Sequence, residues 1–363
     1  MPVRRRVARP VVANDEAPRM TRTRARGWSY AREVSNLDRR PTEELTGGLA
    51  TVSATPARRV LEPREVPLGG PRAMLVRRTL PHRELRSVGA WCFVDDYGPS
   101  DPAESPMRVP PHPHTGLQTV TWLLSGEVLH QDSVGSEQLV RPGSLSLMTA
   151  GRGIAHAETS TPTSPELRGV QLWVALPDES RHTAPAFEHH DRLPVHLPGG
   201  EGGGVTATVV LGRVGDAVSP ATTYSPIVGA DLEVAPGASE NLPLDPSFEH
   251  AVLALSDDLV VDGEPLAKGS LLYLGRGRES VPVASAGRPT RGLLLGGEPF
   301  DEELLMWWNF VGRDHDEVDA VRAEWQRAVA GEETRFGQVA AYDGGALPAP
   351  AMPGTRLRPR RRS

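Results

Sequence analysis

Cysteine, lysine and long apolar runs are nearly missing from this 363-residue chain. The single cysteine, Cys92, excludes an internal disulfide, and one thiol cannot complete a zinc-finger or iron–sulfur ligand set. Any metal must therefore rest mainly on histidine and carboxylate. No apolar run approaches the roughly 18 residues of a bilayer-spanning helix, and the Arg-laden N-terminus lacks the apolar middle of a secretory signal. No membrane partner is expected, and the cytoplasm is the expected compartment. Lys268 is the only lysine among 40 basic residues, beside 37 Gly and 35 Pro, which fits the codon bias of a GC-rich genome better than a purpose-built arginine surface.

The formal charge of −6 hides an uneven distribution. Residues 1–33 hold nine Arg against three acids, and residues 356–362 add five Arg, leaving 26 basic and 43 acidic residues between them. A body near −17 repels nucleic-acid phosphates, so nucleic acid is not an expected partner. The Arg-rich ends read equally as solvated tails, as sites for nucleic acid (the weakest reading) or acidic partners or, at the N-terminus, as translated leader sequence ahead of an alternative start at Val34. Residues 1–50 show neither a strand nor a helix period and read as disordered, and residues 348–363 as a loose tail.

Between the tails, short apolar runs alternate with Gly and Pro, the punctuation of an all-β protein. Ser125-Gly126 splits two runs into a predicted hairpin, Pro142-Gly143 has the order of a type II turn, and Gly151-Arg152-Gly153 marks another break. A glycine-rich spacer at 199–204 separates this set from a second, which predicts two β modules in tandem. Near the end Val318, Val321, Trp325 and Val329 recur at helical spacing behind acidic residues. Residues 304–311 read as a buried strand.

Two short motifs carry the chemistry: His112-Pro113-His114 and His156-Ala157-Glu158. Residues two apart on a strand share a face, so each motif presents two donors on one side. Each pair alone is commonplace. Their combination, with turns on either side that let the strands return to one place, points to three imidazoles and a carboxylate around one divalent ion. Iron, manganese, copper, nickel and zinc all suit such a set. Up to two positions on an octahedral ion then stay open for substrate, water or dioxygen.

The runs around these motifs resemble the pirin family. The likeness rests on Pro111-His112-Pro113-His114-Thr115-Gly116, on Thr119-Val120-Thr121-Trp122-Leu123-Leu124 and on Met148-Thr149-Ala150-Gly151-Arg152-Gly153-Ile154-Ala155-His156-Ala157-Glu158. Phe93-Val94-Asp95-Asp96-Tyr97-Gly98-Pro99 supports it upstream, and Gly296-Gly297-Glu298-Pro299 resembles the family's C-terminal half. The resemblance covers roughly residues 50–338. It implies a bicupin, two tandem cupin-type β-barrels with metal in the first only, and a C-terminal helix between disordered Arg-rich tails. The expected division is a tail at 1–50, a metal-binding cupin domain at 51–185, a cupin-like domain without metal at 186–312, the helix at 313–338 and a flexible tail at 339–363.

The resemblance also implies metal ligands at His112, His114, His156 and Glu158, with Fe(II) as the expected ion. Family members include quercetin 2,3-dioxygenases and transcriptional co-regulators. The first expectation is accordingly a dioxygenase that opens a flavonol-like or other enol-bearing aromatic substrate with O2, Glu158 acting as its base. The alternative is a non-catalytic, iron-binding, redox-sensing or co-regulatory module with a protein partner. Where pirin has a Glu four residues after the second His, this chain has Gln118, which cannot act as a base. The second module has no His-x-His, and the adjacent His189 and His190 point to opposite faces. His250 reads as a hairpin or edge residue; His130 reads as an exposed strand position ahead of the alternative, a partner behind a metal ligand; Arg152 reads as part of a turn ahead of a contact to a substrate anion; and Cys92 reads as a buried small hydrophobe.

Overall fold

The computed structural model describes residues 58–68, 74–104, 106–162, 164 and 166–359. The tail expected at 1–50 and the start considered at Val34 lie outside the described residues. Twenty-six strands and one helix, His315–Val329, form the described elements.

Two cupin-type β domains follow one another, each built as a seven-stranded and a four-stranded antiparallel sheet packed face to face, rather than as one closed barrel. In the first domain the larger sheet runs in the order Ala186–His190, Leu145–Thr149, Leu117–Ser125, Leu167–Ala175, Trp91–Ser100, Met74–Leu80, Arg64–Leu68. Facing it are Arg108–His114, Ile154–Ser160, Val128–Asp132 and Glu137–Val140. One end of the space between them is closed by aliphatic packing of Leu123, Val109, Val128, Val140 and Leu167. The other end holds the histidines. In the second domain the corresponding interior is filled by Val, Ala and Leu side chains, among them Val209, Leu232, Val252 and Leu294.

The two larger sheets also pack back to back. Val120, Trp122, Val170 and Leu172 from the first share one buried cluster with Leu211, Ile227, Leu253 and Leu293 from the second. Trp91 crosses this boundary, its indole N–H shared between the carbonyls of Val228 at 3.0 Å and Gly296 at 3.2 Å. Strand exchange ties the halves further. Arg59–Leu61 pairs with Leu271–Gly275 of the second domain, and Ala186–His190 pairs with Leu145–Thr149 of the first. The expected cut at 185/186 therefore falls just ahead of a strand that belongs to the first sheet.

The residues after the second domain return to the first. The stretch expected as a single buried strand is a tight hairpin, Leu305–Trp307 with Phe310–Gly312, turned by Trp308 at φ 52°. The helix begins where Asp314 accepts from the Glu317 N–H and Glu317 accepts from the Arg313 N–H, reciprocal capping that satisfies otherwise orphaned donors. It ends at Val329 rather than near 338, with Gly331 at φ 93° following the cap. Val318, Val321 and Trp325 pack with Phe310 and Phe336 against Ala155 and Ala157, the outer face of the strand that carries His156. The described part of the tail expected to be loose is docked there as well. Ala349 and Leu357 are buried in this cluster, the Leu347 N–H donates to the Pro111 carbonyl, and the Ala349 N–H donates to Gln326.

Candidate metal centre

His112 and His114 sit on Arg108–His114, the edge strand of the smaller sheet, where three prolines cost little because one side of the strand needs no ladder hydrogen bonds. Across Pro110-Pro111 the pairing with Ile154–Ser160 slips, so that Glu158 faces Val109 while His156 faces His112. The Pro110 carbonyl accepts from His112 Nδ1 at 2.9 Å. The Asn309 carbonyl, in the turn of the C-terminal hairpin, accepts from His114 Nδ1 at 3.2 Å. Both imidazoles are thereby fixed with their protons on Nδ1.

His112, His114 and His156 offer donor atoms that all lie within 4.8 Å of one another, and each is no more than 1% exposed. Glu158 forms a second triad of the same compactness with His130 and His156. Three of the expected ligands thus form one triad, and Glu158 meets His156 in a second triad whose third member is His130 rather than His112 or His114. The sequence reading favoured an exposed position for His130 over a place behind a metal ligand, and the structure reverses that order. His130 is buried, stacked on Phe187 at 4.3 Å, and its Nδ1 lies 3.4 Å from Nδ1 of His156. Its signal was the strand spacing in His130-Gln131-Asp132, but only the pairing of His130 opposite Glu158 turns that face inward.

Around these groups, Trp173 meets His114 edge-on and stacks on Phe93, and the Arg78 guanidinium lies over Phe93 while gripping Asp95 with two hydrogen bonds of 2.7 Å. Thr121 donates toward Glu158 Oε1 at 3.3 Å and lies 3.1 Å from Gln171 Oε1. Gln118 is on the opposite face of its strand, donating to Thr149 Oγ1 and to the Thr222 carbonyl of the second domain. The Glu-to-Gln departure at this position therefore leaves the histidines untouched. His250, expected at a hairpin or edge, is buried in an interior strand of the second domain. Cys92 is buried as expected, with its thiol pushed up to about 12 by burial.

Burial also sets the charge state of the cluster. It lowers the His112 pKa to about 4 and holds His114 and His156 well below the usual imidazole value, so all three imidazoles are neutral at physiological pH. Burial raises the Glu158 carboxyl, an effect partly offset by His130 and by the Thr121 hydrogen bond.

The residues fit a divalent first-row ion. His114 Nε2 and His156 Nε2 lie 3.1 Å apart, and two nitrogens each about 2.1 Å from one ion at a right angle lie about 3 Å apart. Neutral imidazoles with a neighbouring carboxylate are the donor set such ions take. The Asn309 side-chain amide, fully buried beside His114, has neither head hydrogen-bonded within the protein. A buried amide of this kind is normally satisfied by a bound small molecule or water.

Comparison with known proteins agrees with this architecture. Residues 73–174 match the Pirin family model and residues 229–331 match the Pirin C-terminal cupin domain. A Pseudomonas aeruginosa protein named "Putative quercetin 2,3-dioxygenase" is 43% identical over 291 residues, covering 80% of this chain and 89% of its own length. The crystal structure of a quercetin 2,3-dioxygenase from Acinetobacter baumannii superposes with a TM-score of 0.76 at 38% identity, over 83% of this chain and 97% of that one. A bacterial pirin from Escherichia coli, solved in complex with nickel(II), shares the fold at 16% identity, with a TM-score of 0.53 over 67% of this chain and 100% of its own. Matched across both domains and over most of its length, the chain belongs to the pirin family.

Proposed function

We propose that this protein is a metal-dependent dioxygenase that uses Fe(II), held by His112, His114 and His156 with Glu158 as the fourth donor, to open a flavonol-like or other enol-bearing aromatic compound with O2. The observation that carries this reading is the convergence of three buried, neutral imidazoles whose outer nitrogens are already tied to carbonyls or to His130. The names of the Pseudomonas aeruginosa and Acinetobacter baumannii proteins, 43% and 38% identical, support the reaction class.

When bound, iron supplies Lewis acidity and one-electron chemistry toward dioxygen. The chain supplies the rest. Glu158, with its raised affinity for a proton, takes the proton of the substrate's enolic hydroxyl at a carboxylate oxygen. The Thr121 hydroxyl steadies that oxygen. The Trp173 ring, stacked on Phe93 and edge-on to His114, adds an apolar neighbour that helps exclude water from the imidazoles. Oxygen uptake by anaerobically iron-loaded protein, measured against a panel of flavonols and catechols, tests the proposal. Substrate-dependent uptake is expected, and His114→Ala should abolish it together with iron retention. Quercetin consumption unchanged in that variant would overturn the assignment.

One observation favours a second reading: the four proposed ligands are all between 0% and 3% exposed. A site so enclosed suits a redox-sensing module in which iron oxidation alters the surface offered to a protein partner. That reading requires partner affinity to follow metal state while no phenolic compound is consumed.

A further inference from the structure

We infer that Asp132 and His130 form a positioning relay that fixes the tautomer of His156 and so holds its Nε2 lone pair ready for the metal. The inference rests on the metal reading above but concerns residues outside the expected ligand set. Asp132 stands at the end of Val128–Asp132, where its Oδ1 accepts the backbone N–H groups of Val134 at 3.0 Å and Ser136 at 2.9 Å. Its other oxygen, Oδ2, lies 3.1 Å from His130 Nε2. A carboxylate can only accept, so His130 carries its proton on Nε2. In the neutral ring Nδ1 is then a lone pair. That lone pair faces His156 Nδ1 at 3.4 Å, so His156 places its own proton on Nδ1 and leaves Nε2 bare, 3.1 Å from His114 Nε2.

Each link is held in place. Asp132 is fixed by two backbone donors in a turn, His130 by its stack on Phe187, and His156 by pairing opposite both His112 and Asp132. His112 and His114 take the same orientation from backbone carbonyls. Among the described residues no carbonyl does this for His156, which takes its orientation from His130 and, behind it, Asp132. Outer partners of this kind orient the ligand and typically change metal affinity 10–100-fold when removed.

Asp132→Asn is the sharp test. The two backbone N–H groups keep the side-chain oxygen of the substituted residue where Oδ1 was, so its NH2 must point at His130 Nε2. His130 is then forced to accept there and to carry its proton on Nδ1. His156 must accept in turn at Nδ1, and its proton moves to Nε2, where it blocks the metal. The same logic applies when an orienting Asp of a catalytic triad is replaced by Asn.

Long-range 1H–15N spectra of 15N-histidine-labelled, metal-free protein at pH 8 read the tautomer directly. His156 is expected protonated on Nδ1 in the wild type and on Nε2 in Asp132→Asn. Ni(II) affinity, measured by chelator competition, should fall 10–100-fold in the variant while its thermal unfolding without metal stays close to wild type. Should Asp132→Asn fail to fold, His130→Phe keeps the ring stack on Phe187, removes the acceptor and should show the same loss of affinity. An Nε2–H tautomer of His156 in the wild type, or equal Ni(II) affinity in wild type and variant, overturns the relay. A wild-type protein that takes no Ni(II) sinks the metal reading instead, and the tautomer spectra still decide the relay.

Discussion

Glu158 bears two demands in the proposed site, as a negative donor beside three neutral imidazoles and as the group that receives the substrate's proton. Glu158→Gln keeps the shape and a hydrogen-bond acceptor for Thr121 but removes both charge and basicity. Turnover should fall about 100-fold to 10,000-fold, the range of a lost general base, with metal affinity reduced but not abolished. Stopped-flow kinetics on protein with measured iron content checks this, and turnover proportional to iron occupancy alone would show that the carboxylate is only a ligand. The sharing of one face by His112 with His114, and by His156 with Glu158, was legible in the sequence because strand alternation produces it whatever the strand's partner is. His130 and Asp132 have the same spacing but read as an exposed face first, since a polar strand face turns inward only through its neighbours. His130 is buried because it pairs opposite Glu158 under the Phe187 ring. The Asn309 contact to His114 had no residue-type signal at all, because a backbone carbonyl makes it.

Among the elements, the C-terminal hairpin Leu305–Trp307/Phe310–Gly312 does most to set the site without contributing a ligand. It lies against the turn that follows His114: the Val311 N–H donates to the Thr115 carbonyl, and Gly116, at φ 71°, leaves room for the Val311 carbonyl. A Cβ at Gly116 would sit 2.1 Å from that oxygen. Gly116→Ala therefore has to part the hairpin from the metal strand while also holding alanine in a left-handed conformation. We expect a loss of about 2–4 kcal/mol, more than the roughly 1 kcal/mol of left-handed strain alone, and weaker metal binding as His114 loses its fixed carbonyl. Urea unfolding and metal competition on the same variant measure both, and full metal affinity would show that the hairpin does not orient His114. The sequence showed residues 304–311 to be apolar and buried but not that they reverse direction, because periodicity in a run this short does not separate one strand from two. The helix was legible from its spacing and its acidic first turn. The docking of residues 339–359 was not, because it depends on scattered contacts of Val339, Ala349 and Leu357 rather than on any period.

At the scale of the whole molecule, the two larger sheets share one core and exchange edge strands, so protonation at the buried cluster acts on the stability of both domains together. His112 is held at about 4 and His114 and His156 well below the usual value, and His250 in the second domain is also lowered to about 4, in every case chiefly by burial. In the unfolded chain these imidazoles titrate near 6.5. Above that pH neither state binds the protons and stability does not depend on them. As pH falls below about 6.5 the unfolded chain takes up protons that the folded protein refuses, so the folded state loses stability, by about 1.4 kcal/mol per pH unit for each histidine. Four such groups give a limiting slope of about 5 kcal/mol per pH unit. Glu158 opposes them, since its raised pKa favours the folded state as pH falls, but it contributes one proton against four. Metal-free protein should therefore show a urea midpoint that is level from pH 8 to about 7, drops steeply between about 6.5 and 5, and does so in one transition. In His112→Asn the slope should lessen by about one proton's worth. A bound divalent ion, which requires the same neutral imidazoles, should raise stability near pH 7.5, keep that advantage across this interval, and lose it only as pH nears the folded-state value of about 4, where the imidazoles themselves protonate. A midpoint flat through pH 5, or two separate transitions, would mean that these histidines are not held neutral in a core common to both halves.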